Sequence, residues 1–411
     1  MKTKKIFYFL LLLGFLSGCD YLDIVPDNLP TLEMAFNNKS SAERFLFTCY
    51  SFVPEHGKIG TDPGMDVGDE VWYYSDNSAD YSNKTTFWIA KGMQNSNEPL
   101  VDYWNGTQWG KAMFVGIRDC NVFIENIDKV PDLSAYDKET WKAEVKVLKA
   151  FYHFWLMRMY GPIPIVKENI PVSADENEVR VVRDKIDDIV AYTVSLIDES
   201  VDYLPLNIQN EAAEMGRITR PAAKAIKAKI LAFAASPFFN GNLDYANFKN
   251  ADGEPFFNQV YDGEKWTKAA EACLDAIQCA EEAGHGLYEF VNMSSTKLSE
   301  ETVLSLTNRC KVTERWNKEL VWGCGQSGIR DLQVLCQPWL ESNYSSDDRY
   351  HNARNGTFAP TLAVAETFYT KNGVPMDEDR SYDYDNRYTT QVATEADKYY
   401  IQPGYTTAKL H

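Results

Sequence analysis

Four of the ten tryptophans fall between residues 61 and 110, namely Trp72, Trp88, Trp104 and Trp109, beside Tyr73, Tyr74, Tyr81 and Phe87 in a matrix of Asp, Asn, Ser and Gly. Aromatic rings in polar, irregular sequence suit carbohydrate recognition. The apolar C–H face of a pyranose packs on a π surface, while neighbouring carboxylates, amides and backbone groups bond its hydroxyl rim. No nucleophile or perturbed base is required. Trp72, Tyr73, Tyr74 and Trp88 lie in the least regular part of the stretch and are the leading candidates for ligand contact. Large aromatics also pack in cores, so each must be weighed against that role.

Catalytic patterns are absent by comparison. The five histidines, His56, His153, His285, His351 and His411, are scattered, with no H-E-x-x-H and no Cys/His cluster at zinc spacing. No metal site and no cofactor is expected. His153 lies within an apolar helical run and is expected to be a satisfied core histidine. At Ser327, Ile329 occupies the place of the last glycine of a G-x-S-x-G elbow. Acidic pairs that could serve a glycosidase, such as Asp66 with Glu70 or those among Asp377, Glu378 and Asp379, are too abundant to single out one pair. "DEDRSYDYDNR" alternates oxygen ligands, yet Arg387 and the lack of a glycine break the calcium-loop pattern, leaving a solvated acidic loop.

The start of the chain bears on location. Lys2, Lys4 and Lys5 precede an apolar stretch from Ile6 to Leu16, the length of a signal-peptide core and too short for a comfortable membrane span. Leu16-Ser17-Gly18-Cys19 resembles the lipobox of bacterial lipoproteins, in which Cys19 is diacylated and becomes the first mature residue. The expectation is a signal peptide over 1–18, an acidic tether over 19–35 and an anchored domain over 36–411. Loss of the three lysines takes the formal charge from −18 to −21. So acidic a chain lacks the basic face that nucleic acid requires, and anionic lipid headgroups would repel it, leaving the acyl chains as tether. Seven cysteines remain after Cys19, an odd set without C-x-x-C, which favours buried free thiols over a disulfide framework.

The elements that must hold the candidate residues read as helices. Trp141, Val145, Leu148, Tyr152, Trp155 and Met159 recur at spacings of three and four until Gly161-Pro162, predicting a long amphipathic helix. Ile186, Ile189, Thr193, Leu196 and Val201 repeat the pattern before Pro205. A third, alanine-rich helix begins near Thr219 and Pro221, and a fourth carries Trp266, Ala270, Cys273, Ile277 and Ala280 on one side and stops at Gly284. Their spacing of roughly 35 to 45 residues suggests stacked hairpins of the tetratricopeptide kind.

On these residues the chain resembles the SusD-like (RagB/SusD) outer-membrane lipoproteins. "EVKVLKAFYHFWLMRMYGPIPIV" is similar to the family's signature helix, and "YWNGTQWGKAMFVGIRDCNVFIENID" to its early helix, which places Trp104 and Trp109 in the core. "GRITRPAAKAIKAKILAFAASPFF", "KELVWGCGQSG" and "PTLAVAETFYTKNGVPMDE" resemble its alanine-rich helix, a Glu-x-hydrophobic strand and a Lys-x-Gly-x-Pro turn. Trp316 and Trp322 flank that strand-like segment, with Trp322 reaching the binding face, whereas Trp141, Trp155 and Trp266 belong to core stripes. Relatives continue beyond the equivalent of "YYIQPGYTTAKLH" into further helices, so the resemblance implies that C-terminal helices are missing, or else a short member with a reorganised terminus.

The fold expected is therefore mostly α, with tetratricopeptide-like helical hairpins and a loop-rich second lobe. The resemblance implies a non-enzymatic, surface-exposed lipoprotein that binds an oligosaccharide and serves a SusC-like, TonB-dependent outer-membrane transporter. A surface glycosidase and a non-binding transporter scaffold are the alternatives.

Overall fold

The computed structural model describes residues 32–55, 57–58, 61–73, 85–325, 332, 336, 358–398 and 403–408, with the backbone alone at Tyr73 and Ala408. The lipobox cysteine Cys19 and Tyr74 lie outside them. Among the described residues the long elements are helical: α1 (Lys39–Tyr50), α2 (Pro63–Asp66), α3 (Thr85–Ala90), α4 (Met113–Asn126), α5 (Ala135–Tyr160), α6 (Ile186–Asp198), α7 (Arg220–Ala235), α8 (Glu264–Glu282) and α9 (Glu300–Thr313). The described strands are three residues each. β1 (Val71–Tyr73) pairs antiparallel with β2 (Phe358–Pro360), and β3 (Thr390–Val392) with β4 (Thr406–Ala408).

The ends of the helices follow their capping residues. The Ser134 hydroxyl accepts the Asp137 N–H at the start of α5, and Gly161, at φ +70°, closes it. Thr219 caps α7, whose first turn holds Pro221 where its missing N–H costs nothing. Gly284, at φ +86°, follows α8.

Each long helix packs chiefly on its neighbours in the sequence, α4 on α5, α5 on α6, α6 on α7 and α7 on α8, which gives the row of helices the spacing suggested. The central α5 departs from simple amphipathicity, because every residue from Val147 to Met157 is buried. Side chains from α1 and α4 close over one side and those of α6 and α7 over the other, in one core containing Leu46, Phe123, Tyr152, Trp155, Ile189 and Ile230. No described helix is long and apolar enough to cross a membrane.

Helix α8 corrects the sequence reading. Its buried stripe is Ala269, Ala272, Ala276 and Cys279, with Ala272 and Ala276 against Ala228 of α7. Trp266, Cys273 and Ile277 face outward, Trp266 being 46% exposed. Two alanine faces let the helix backbones approach closely, and a tryptophan in that seam would hold them apart. The segment "KELVWG" is likewise a turn and not a strand: it has no ladder partner, and the Asn317 side chain bonds Lys311 O, Glu314 O and the Glu319 N–H. All seven cysteines from Cys49 onward are free thiols, with Cys49, Cys120 and Cys279 buried.

Candidate functional site

The aromatic stretch folds as a small lobe around Phe87. Asp62 caps α2 by accepting the Gly64 N–H at 3.0 Å, and it also accepts the Gly57 N–H at 2.9 Å. Asp66, at the end of α2, is fully buried and accepts the Thr86 hydroxyl at 2.7 Å, fixing α3 against α2. β1 then pairs with β2 in the register Val71–Pro360, Trp72–Ala359 and Tyr73–Phe358. The Thr361 hydroxyl secures this pairing by donating to Asp69 O at 2.6 Å. Phe87 and Phe358 meet edge to face at 5.9 Å and, with Met65, Val71 and Leu332, form an apolar cluster separate from the main core.

On this base Trp72 lies edge-on to Phe87 at 5.9 Å and remains 41% exposed. Trp88, the next residue of α3, is 42% exposed, with Lys91 Nζ 5.7 Å from its ring centre. The fold thus brings Trp72 and Trp88 to one lobe as half-exposed rings. The Tyr73 backbone lies beside them in β1, whereas Tyr74 is outside the described residues. The Asp66–Glu70 pair does not form a catalytic couple: Asp66 is committed to Thr86 inside the lobe, and Glu70 is exposed.

Trp322 belongs elsewhere. Its indole N–H donates to Gly216 O at 2.9 Å, and its ring meets Phe151 of α5 edge-on at 5.5 Å. It walls a cavity of about 370 Å³ shared with Trp316, His285 and Arg217, where Trp316 adopts a left-handed φ of +57°. The candidates therefore divide between two places in the fold.

One exposed ring was misassigned from the sequence. Trp109, expected in the core, is 58% exposed in the loop 101–110, just after the Asp102–Thr107 bridge that closes its turn. Three non-glycine residues there hold positive φ: Val101 (+48°), Gln108 (+48°) and Trp109 (+72°). Such backbone costs of order 1–3 kcal/mol per residue and persists only where its surroundings enforce it. The Val101 N–H donates to Gln108 O at 3.0 Å across the strained positions, and Asp102 organises the turn that they flank. Its carboxylate accepts the Trp104 N–H (2.9 Å), the Asn105 N–H (3.1 Å), the Asn105 amide (3.0 Å) and the Thr107 hydroxyl (3.0 Å). Burial pushes this carboxyl up, but those donors outweigh burial and hold it below its ordinary range. Trp104 itself is packed, edge-on to Phe114 at 4.7 Å and to Tyr160 at 5.5 Å. The Tyr103 hydroxyl donates to Thr61 O at 3.1 Å, tying the loop to the lobe of Trp72 and Trp88. The local signal for an exposed loop residue is "NGTQWG", in which two glycines bracket the tryptophan.

Elsewhere, Asp379 is the hub of a turn, accepting the Thr370, Asn372 and Ser381 side chains. Arg387 pairs with Glu366 at 2.6 Å. Among the described residues no group of three or more His, Cys, Asp or Glu is placed to hold a metal ion.

A SusD-like family profile, described as starch-binding associating with outer membrane, matches residues 20–231, just over half of the chain. This chain belongs to the SusD-like family. SusD-like protein P25 of Formosa agariphila is 22% identical over 240 residues, 56% of this chain and 43% of that protein. Among solved structures, BT4246 superposes with a TM-score of 0.71 at 26% identity, over 87% of this chain and 61% of its own. Surface glycan-binding protein A from Bacteroides uniformis shares the fold at a TM-score of 0.53 and 16% identity, over 90% of this chain and 66% of its own. The chain thus spans about three fifths of BT4246, and the mostly helical SusD-like fold is common to them.

Proposed function

We propose that this chain is an outer-membrane lipoprotein, held at the cell surface by acylated Cys19, that captures an oligosaccharide and passes it to a SusC-like, TonB-dependent transporter. The observation that carries the reading is the pair of half-exposed rings, Trp72 and Trp88, on a lobe whose own apolar cluster positions them without using them as core. A sugar stacked on either ring gains apolar contact, and the polar stretch around them supplies hydroxyl partners. Tyr73 and Tyr74, next to Trp72 in the sequence, are assigned to the same ligand contact, while Trp322 walls the second cavity and offers a separate subsite. Signal peptide 1–18, tether 19–35 and binding domain 36–411 divide the chain accordingly.

Capture without cleavage is favoured by the family's description as binding proteins and by the internal commitment of Asp66 and Asp379. Two experiments test the reading. Calorimetry of the purified domain against a panel of oligosaccharides should find a ligand whose affinity drops in Trp72→Ala or Trp88→Ala. In cells, Cys19→Ala should release the protein from salt-washed outer membranes, and the transporter should co-purify with the anchored form.

A further inference from the structure

Among the described residues, two positive charges meet in an aromatic cavity with neither of them in an ion pair. In so acidic a chain, basic side chains find carboxylates readily: along α7, Lys224 pairs with Asp275 at 2.7 Å and Lys227 with Asp198 at 2.6 Å. Lys229, on the same helix, forms no ion pair among the described residues. Nor does Arg158, in the last turn of α5. Both line a cavity of about 430 Å³ walled by Phe233, Phe238 and Phe239, with Ser236 at its edge.

The guanidinium of Arg158 lies 5.1 Å from the ring centres of Trp155 and Phe233 and 5.6 Å from that of Phe154. Its Nε and Nη1 are buried without a hydrogen-bond acceptor. A helix C-terminus favours a cation, but the attraction leaves those N–H groups unsatisfied. Burial lowers the pKa of Arg158, and burial followed by repulsion from Arg158 lowers that of Lys229. Asp62, the cap of α2, attracts both through space but forms an ion pair with neither, and its attraction does not offset burial. Two cations share one partly dry pocket, a disposition that an incoming anion relieves.

We propose that this cavity is an oxyanion subsite, in which Arg158 and Lys229 bind the acidic group of a charged sugar, a carboxylate or a sulfate ester, while its ring packs on Phe238. The inference rests on the proposed function for the glycan as carrier and specifies its class as acidic. Position supports the connection: Arg158 stacks on Trp155, Trp155 meets Tyr103 edge-on at 5.3 Å, and the Tyr103 hydroxyl bonds Thr61 beside α2 of the Trp72 lobe. Phe238 is 48% exposed, so a ring can reach it.

Calorimetry on the full chain tests the proposal with trigalacturonate, its neutral counterpart galactotriose and galactose 6-sulfate. At least one acidic probe should bind ten times or more tighter than galactotriose, and whether it is the uronate or the sulfate identifies the oxyanion. Arg158→Gln and Lys229→Ala should each lower that affinity at least fivefold, Lys229→Glu should abolish it, and circular dichroism should be unchanged for the exposed Lys229 variants. Absence of preference for either acidic probe, or acidic binding untouched by Lys229→Glu, overturns the subsite. Neutral glycan binding that depends on Trp72 or Trp88, with no acidic preference, removes this inference and leaves the proposed function standing. Galacturonate binding lost in Lys229→Glu, with no glycan bound through Trp72 or Trp88, does the reverse.

Discussion

The imidazole of His153 should make the fold sensitive to mild acid. It is completely buried in α5, with Nδ1 2.8 Å from Lys149 O and Nε2 3.1 Å from the Val166 N–H. A carbonyl on one side and an N–H on the other fix the neutral tautomer, Nδ1 donating and Nε2 accepting. Protonation would turn Nε2 into a donor facing a donor. Burial is the main reason that its pKa falls from 6.5 to about 4, and nearby Lys149 pushes in the same direction against the hydrogen bond from Nδ1. Unfolded His153 takes up a proton near pH 6.5, whereas folded His153 does so only near 4, so between these values the unfolded chain binds more protons. Stability is full above about pH 6.5, declines as the pH falls towards 4 and levels below it. At ~1.4 kcal/mol for each tenfold change in proton affinity, the window removes about 3 kcal/mol. Urea unfolding at half-unit steps from pH 7.5 to 4, for the natural chain and for His153→Gln, isolates this contribution because every other titration is common to both. The difference in stability between the two should shrink by about 3 kcal/mol across the window. Parallel curves, or a His153 ring whose NMR titration centres near 6.5, would refute the reasoning.

The ion pair of Glu144 and Arg217 offers a second test: Glu144 is 1% exposed, and its Oε2 accepts Arg217 Nε at 3.0 Å and the Tyr50 hydroxyl at 2.5 Å. Glu144→Ala leaves the buried Arg217 guanidinium with only the part-exposed Glu214, 2.6 Å from Nη1, and should cost about 3 kcal/mol in urea unfolding, while replacing both Glu144 and Arg217 by apolar residues of similar size should cost less. Gly110→Ala should destabilise the strained loop severely, because the new Cβ would lie 2.1 Å from Asp102 O, and a melting temperature within a degree of the natural chain would contradict the loop geometry. Thiol labelling of the native protein should modify exposed Cys273 and Cys324 quickly and reach Cys49 and Cys120 only on unfolding.

What was legible in the sequence follows from the range of the forces involved. Helices α5, α6, α7 and α8 could be located because the i, i+4 pattern and the stops at Gly161 and Gly284 are local, although α6 ends at Asp198, ahead of the stop expected at Pro205, and Val201 falls in a separate short turn. Which face of α8 turns inward was not, because that depends on the neighbouring alanines of α7; Trp266 looks like a core residue until Ala228 is seen to exclude it. Trp109 was misread for a related reason. Hydrophobicity says that a ring tends to be buried, whereas the Asp102 hydrogen bonds and the left-handed backbone that hold it outward emerge only in three dimensions. The β1–β2 pairing joins residues almost 290 positions apart, beyond any periodicity. Arg158 stood in plain view within "WLMRMYG", but nothing local tells a guanidinium with a distant carboxylate from one without.

The central claim is that Trp72 and Trp88 present their rings to a sugar and do not serve the core. Glycan affinity and melting temperature measured together for Trp72→Ala, Trp88→Ala and Trp155→Ala test it most directly, since Trp155 is 1% exposed in the main core. Removal of a stacking ring should weaken glycan binding by about 1 to 3 kcal/mol with little change in melting temperature, while Trp155→Ala should cost about 3 to 5 kcal/mol of stability. Trp72→Ala and Trp88→Ala chains that unfold early yet bind sugar with full affinity once folded would contradict the account.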